Sequence, residues 1–249
     1  MTAKVLVTAG ATGIGLEIVR AFVGSGATVY TCDIDSSALD AAASEMPGLH
    51  IGRCDIGKRS EIDLMVAQAG RTRGGIDVLV NNAGIGGPTK PVQDIDPDDW
   101  DAVLRIDLTG TFDVTRNAIP YLIRSDKGSI INMSSAAADP NRAPYAAAKW
   151  AIIGLTKTLS MELGEFNVRA NAIAPGAVDG ERIQKVFRGR AEAPGQPLEY
   201  VKKEAMANQS LKRLVDPRDI AALALFLASD AAKSISGQVF PIDGDHQRN

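Results

Sequence analysis

Histidine and cysteine are scarce in this chain, and each scarcity narrows the chemistry open to it. The two histidines, His50 and His246, are far apart and belong to no ligand-like cluster. A His-rich zinc site or a histidine-centred hydrolytic triad is therefore not expected, and no metal site is assigned. The two cysteines, Cys32 and Cys54, lie in separate apolar segments without CxxC spacing. They read as small core residues of a protein kept in a reducing compartment. No apolar run reaches the length of a bilayer span. The opening MTAKVLVTAG lacks the apolar core and cleavage site of a secretory signal, so a cytoplasmic protein is expected. A net charge of −3 gives no electrostatic reason to expect nucleic acid or an anionic membrane as partner.

What is present is alternation. Short β-rich runs (KVLVTAG, TVYTCD, HIGRCDI, IDVLVNNAG, GSIINMSS, VRANAIAPG, GQVFPID) are separated by longer helical patterns such as GIGLEIVRAFVGSGA and PRDIAALALFLAS. The apolar runs are nearly continuous, as in parallel strands covered on both faces. This order predicts a single-domain Rossmann fold over residues 1–249, an α/β doubly wound parallel sheet of about seven strands with helices on both faces. In such a sheet ligands bind beyond the carboxyl ends of the strands, where strand order reverses.

Two groups of residues fall where that rule places a site. TAGATGIG, residues 8–15, follows the first strand and opens the first helix. Gly10, Gly13 and Gly15 permit a tight turn and close approach of a pyrophosphate to the helix N-terminus. Asp33 lies 18 positions beyond Gly15, at the end of the second strand, where a carboxylate accepts from both ribose hydroxyls of an adenosine. The same carboxylate repels a 2′-phosphate, and TCDIDSS contains no Arg or Lys, which favours NAD over NADP. The alternative is that Asp33 caps the next helix, a task that Asp35 or Ser36 could also perform. The second group is APYAAAKWA, where Tyr145 and Lys149 stand four apart and share a helix face.

The sequence resembles the classical short-chain dehydrogenases/reductases over nearly its whole length. The matching stretches are TAGATGIG, CDI at 54–56, NNAG at 81–84, SIINMSS at 129–135, YAAAK at 145–149, NAIAPGAV at 171–178 and SGQVFPIDG near the end. The resemblance implies that Thr12 and Ile14 join the three glycines at the cofactor, and that Asp55 and Ile56 border the adenine. It puts Asn82, Ala83 and Gly84 near the adenosine and has Val178 offer backbone groups to the nicotinamide amide. Tyr145 would be the catalytic acid/base, Lys149 would hold the nicotinamide ribose, and Ser135 would hydrogen-bond the substrate oxygen, with Ser134 as a structural neighbour. Positive charge from Lys149 and an oxidised nicotinamide favours the phenolate that such a base requires. The implied activity is NAD-dependent interconversion of a secondary alcohol and a ketone, of a sugar, polyol or cyclic alcohol. Homotetramers paired through the long central helices are common in the family, and Trp150, Ile153 and Leu159 would supply an apolar face.

Several positions depart from the family pattern. Asp107 replaces an asparagine that supports a helix kink near the lysine; its carboxylate is expected to bond its own backbone and to play a supporting catalytic part. Ala9 replaces a turn glycine, with Gly10 expected to cover for it. Gly180 replaces a threonine near the nicotinamide, and Asp245 is a further departure. AAADPNRAP, between Ser135 and Tyr145, is shorter than the family's loop. Residues 179–210 are the least family-like stretch and read as a substrate lid, with Ile183, Val186 and Phe187 forming an apolar helix face. The basic residues there, Arg182, Lys185, Arg188 and Arg190, read as a solvated face, and AEAPGQP as a break. Two other functions fit parts of the pattern: a non-catalytic NAD-sensing regulator, and an epimerase or dehydratase. The second lacks the added substrate domain of those relatives.

Overall fold

The computed structural model describes residues 3–72, 74–135, 140–192 and 195–247. In chain order these form β1 (Lys4–Thr8), α1 (Gly13–Gly24), β2 (Thr28–Asp33), α2 (Ser36–Glu45), β3 (His50–Arg53), α3 (Arg59–Thr72) and β4 (Val78–Asn81). There follow α4 (Pro97–Val103), a π-helical turn (Leu104–Gly110), α5 (Thr111–Leu122), β5 (Ser129–Met133) and α6 (Ala143–Leu163). The last elements are β6 (Arg169–Pro175), α7 (Glu181–Glu192), α8 (Leu198–Ala205), α9 (Pro217–Ala228) and β7 (Val239–Ile242).

The strands pair in parallel in the order β3-β2-β1-β4-β5-β6-β7. This is the expected Rossmann sheet. The chain leaves β1 in one direction to build β2 and β3 and returns past it to build β4 to β7. The crevice therefore opens beyond the carboxyl ends of β1 and β4.

Period-two alternation in the strands feeds two core layers. Val5 and Val7 of β1 join Ile18, Val19 and Phe22 of α1 and Ile220 and Leu227 of α9 on one face. Leu6, between them, joins Ile62 and Val66 of α3, Val114 and Leu122 of α5, and Leu159 of α6 on the other. Each such side chain contributes about 1.5–3 kcal/mol by leaving water. A sheet so anchored on both faces holds its strand ends, and the site on them, in fixed positions.

Three expectations change in detail. The helical pattern through Asp107 is broken by the π-helical turn, which inserts a residue's worth of slack between α4 and α5. Leu159 is buried in the core, whereas Trp150 is exposed and Ile153 half-buried, so Leu159 adds nothing to an outer apolar face. The cysteines, separate in sequence, meet in space because β2 and β3 are neighbours. The Cys54 amide donates to the Asp33 carbonyl at 2.9 Å. The neighbouring Cys54 and burial push the pKa of the free Cys32 thiol up.

Helices α7 and α8 pack on each other through Phe187, Ala191 and Val201, with Ile183 and Leu198 beside them. This small cluster is separate from the two layers of the sheet core. Val186 is half-buried. Lys185 pairs with Glu181 at 3.0 Å on the exposed side, and Arg188 is exposed, in keeping with a solvated face. The side chains of Arg182 and Arg190 lie outside the described residues. Among the described residues, no helix is long and apolar enough to cross a membrane.

Candidate active site

The nucleotide end is built mainly of backbone. Helices α2, α4 and α9 are capped by Asp35, Asp96 and Asp216, whose carboxylates accept from their first amides. Helix α1 differs: Thr12 at its N-cap makes no side-chain bond, and its first turn carries no acid. Its leading N–H groups suit an anion from outside. Thr12 is exposed at this mouth, while Ile14 packs towards the core. Gly15 has no room for a side chain, since a Cβ would lie 2.1 Å from the Ala9 carbonyl oxygen and 2.6 Å from Asn82 Nδ2.

Ala9 itself takes the left-handed conformation, with φ of +52°, as does Gly13 at +54°. Gly10 does not cover for the missing glycine. It faces Thr31 and Val19, and its amide bonds the Cys32 carbonyl at 3.2 Å. Asn82 holds the strained turn in place: its Nδ2 donates to the carbonyls of Thr8 and Ala9 at 3.1 and 2.9 Å. Thr8 Oγ1 accepts from the amides of Asn82 and Ala83. The NNAG stretch thus stitches the end of β4 to the β1 turn.

Asp33 Oδ2 accepts from the Ala11 amide at 3.2 Å, which fixes the carboxylate beside the turn. Asp35, not Asp33, caps α2 through the amides of Ser37 and Ala38. A cation that the local sequence did not show, Arg53, is the register partner of Asp33 on β3. Its guanidinium bonds Glu61 at 3.3 Å. Asp55 and Ile56 follow β3, but the Asp55 carboxylate is used in its own turn, accepting from the Gly57 amide at 2.9 Å. Ile56 is buried against Gly110. Val178 forms a parallel bridge with Val215, in which the Ala177 carbonyl and the Asp179 amide make the bonds. By that pattern the N–H and C=O of Val178 point the other way, as a ligand amide would require.

The chemical end is built of side chains. Tyr145 and Lys149 share the face of α6 that looks towards the end of β5, and Lys149 Nζ lies 5.7 Å from the Tyr145 ring centroid. Lys149 is buried, donates to the Met133 carbonyl at 3.2 Å, and stands 3.2 Å from Asp107 Oδ2. The contact with Asp107 is ionic, without the geometry of a hydrogen bond. Ser134 Oγ donates to the Lys149 carbonyl at 2.7 Å, the structural part expected of it. Ser135 follows β5 and is buried; the loop after it, residues 136–139, lies outside the described residues, so the shortened segment is seen only from residue 140 onward.

Asp107 corrects an expectation. Its carboxylate does not bond its own backbone; Oδ1 accepts from the Ile85 amide, 22 residues away, at 2.7 Å. Its own carbonyl accepts from Thr111 Oγ1 at 2.8 Å. The π-helical turn gives the extra rotation that aims this side chain inward. Gly84 makes the pairing possible, because a Cβ there would lie 2.8 Å from Asp107 Oδ2 and 3.0 Å from Lys149 Nζ. The result is an ion pair with side-chain exposures of 6% and 0%, too dry to be screened by solvent.

Sequence reasoning missed Arg142. Its guanidinium carbon stands 4.2 Å from the Tyr145 ring centroid, so a second cation neighbours the phenol ring. The available signal was a basic residue at the start of a helix, where capping residues are preferred. Gly180 has φ of +145° and lies before α7, and Asp245 bonds Ser210 beyond it. Among the described residues no three His, Cys, Asp or Glu side chains could hold a metal ion.

The family model described as "Enoyl-(Acyl carrier protein) reductase" matches residues 8–244. D-beta-hydroxybutyrate dehydrogenase of Cupriavidus necator is 37% identical over 96% of this chain and 95% of its own. NAD+-bound xylitol dehydrogenase superposes with a TM-score of 0.91 at 30% identity, covering 97% of this chain and 98% of that one. A variant of actinorhodin polyketide ketoreductase with NADPH gives 0.93 at 28% identity, covering 98% and 96%. With the family model matching nearly the whole chain and a relative of 37% identity covering 96% of it, the chain belongs to the classical short-chain dehydrogenase/reductase family of oxidoreductases.

Proposed function

We propose that the protein is an NAD-dependent oxidoreductase interconverting a secondary alcohol and a ketone. The observation that carries this reading is Tyr145 beside the buried Lys149 at the carboxyl edge of the sheet, on the crevice that begins at α1. The cofactor would lie with its pyrophosphate at the bare N-terminus of α1, its adenosine ribose at Asp33, and its nicotinamide amide at the backbone of Val178. Bound there, it would take hydride from the carbinol carbon or return it.

The chain's residues handle the proton and the charge. Ser135 and Tyr145 bind the substrate oxygen. In oxidation the Tyr145 phenolate takes the hydroxyl proton as the carbinol C–H bond breaks; in reduction the phenol gives that proton to the carbonyl oxygen. Lys149 would hold the nicotinamide ribose and supply positive charge near the phenol. Asp107 positions Lys149, and the Ile85 amide in turn fixes Asp107.

Support for NAD over NADP comes from Asp33, whose carboxylate would repel a 2′-phosphate, and from the engagement of Arg53 by Glu61. The solved relatives include one named with NAD+ and one with NADPH, and the Asp33 carboxylate is what favours NAD in this reading. Their names point to polyol, hydroxy-acid and polyketide substrates, within the secondary-alcohol class. Helices α7 and α8, packed on each other through a small apolar cluster apart from the sheet core, would form a lid over the substrate. A homotetramer fits the outward Phe112 of α5 and Trp150 and Met161 of α6, which are 45%, 51% and 76% exposed.

The test is a panel of secondary alcohols with NAD and with NADP, read at the absorbance of the reduced nicotinamide. Turnover with NAD at a kcat/KM at least tenfold above that with NADP is expected. No reduction of either cofactor by any alcohol would sink the reading.

A further inference from the structure

Glu61, in the first turn of α3, gathers three contacts beside the end of β3. Its Oε2 accepts from the Asp55 amide at 2.8 Å and from Arg53 Nη1 at 3.3 Å, and its Oε1 accepts from Lys58 Nζ at 3.0 Å. The Asp55 bond and Lys58, with a smaller part from Arg53, hold its pKa below the ordinary carboxylate range, so the anion persists at neutral pH. Holding the Asp55 amide alone would need an acceptor and no charge. The charge engages two cations besides.

Arg53 is the cation that bears on a nucleotide. It is the register partner of Asp33, one strand spacing of about 4.8 Å away. Asp33 does not hold it: Oδ1 accepts from the Asp35 amide and Oδ2 from the Ala11 amide, each at 3.2 Å. The ion pair of Arg53 is with Glu61. Turned back to Asp33, an arginine would offset the carboxylate that disfavours a 2′-phosphate and offer that phosphate a forked donor. Glu61 draws it towards α3 instead. The two side chains are 52% and 26% exposed, and a pair so open to water is a light latch. Its effect is therefore a bias of about tenfold, not a reversal.

We infer that Glu61 is a positioning residue for cofactor choice, which keeps Arg53 away from the ribose at Asp33 and so withholds the cation that a 2′-phosphate would need. This rests on the NAD reading above and adds to it a second determinant, acting at a distance from the cofactor.

The test is calorimetric titration of the protein with NADH and with NADPH, which needs no turnover. Glu61→Gln keeps an acceptor for the Asp55 amide and removes the charge. It should bind NADPH about tenfold more tightly, with NADH changed by no more than a few-fold, and the gain should shrink at about 0.5 M salt. Arg53→Gln added to that variant should abolish the gain, whereas Lys58→Gln added to it should not. With an alcohol that the enzyme oxidises, the gain should appear as a lower KM for NADP with kcat within a few-fold. A ratio of NADH to NADPH affinity that Glu61→Gln leaves within twofold overturns the inference. So does a gain that survives loss of Arg53, or a loss shared by both cofactors, which would mark a purely structural part. These outcomes leave the NAD reading standing, provided that the unmodified protein prefers NADH. An unmodified protein that prefers NADPH sinks both. The expected affinities without turnover of any alcohol support the positioning role and sink the dehydrogenase reading instead.

Discussion

The two ends of the crevice recognise by different means. At the nucleotide end the polar groups are mostly backbone: the uncapped amides of α1, the carbonyls of Thr8 and Ala9 held by Asn82, and the peptide of Val178. At the chemical end they are side chains, with two cations and one buried carboxylate arranged about a single phenol. Backbone recognition depends on conformation, so its weak point is strain. Side-chain recognition depends on charge balance in a dry place, so its weak point is a missing partner. Substitutions at the two ends should fail for these different reasons.

The largest effect should come from unbalancing the dry end. Asp107→Leu leaves the Lys149 ammonium buried without its counter-charge and should cost about 3–5 kcal/mol in urea unfolding. Adding Lys149→Met to that variant should restore most of the loss, because the pair then leaves together. A single substitution costing no more than an exposed ion pair would erase the contrast between the two ends.

At the nucleotide end the side chain expected to set the cofactor preference is Asp33. Asp33→Asn removes the charged acceptor and should weaken NAD roughly 10–100-fold by calorimetry, with relative preference moving towards NADP. Gly84→Ala is a milder disturbance of the dry end. Its Cβ would crowd both members of the Asp107–Lys149 pair and should cost about 1–3 kcal/mol, read as a lower urea midpoint. The smallest change should be a gain. Ala9→Gly relieves the left-handed alanine and should add about 0.5–1 kcal/mol, seen as a higher Tm. No gain there would mean that Asn82 and Gly15 do not hold the turn at the expense of Ala9.

Much of the backbone-built end was legible in the chain. Continuous apolar runs give the parallel strands, and the glycine turn followed by Asp33 gives the crevice, because these signals are local. The failures concern relations across the sheet. Cys32 and Cys54 look unrelated until β2 and β3 are seen to be neighbours, and Arg53 faces Asp33 for the same reason. Leu159 looked exposed because α6 is apolar nearly all round, and only packing decides which side is inside. Asp107 was singled out as a departure, but its partner at Ile85 and the π-helical turn that aims it depend on a long-range contact. Arg142 was counted only as part of a short loop, since nothing in NRAP says that the guanidinium lies over the phenol.

The claim on which the account turns is that the phenol of Tyr145 moves the proton. Its most direct test is Tyr145→Phe, assayed for single-turnover reduction of NAD by an alcohol that the unmodified enzyme oxidises, with NAD affinity measured on the same sample. The account predicts a fall in the rate of about 100- to 10,000-fold with NAD affinity changed by no more than a few-fold. A variant that reduces NAD at the unmodified rate would contradict it.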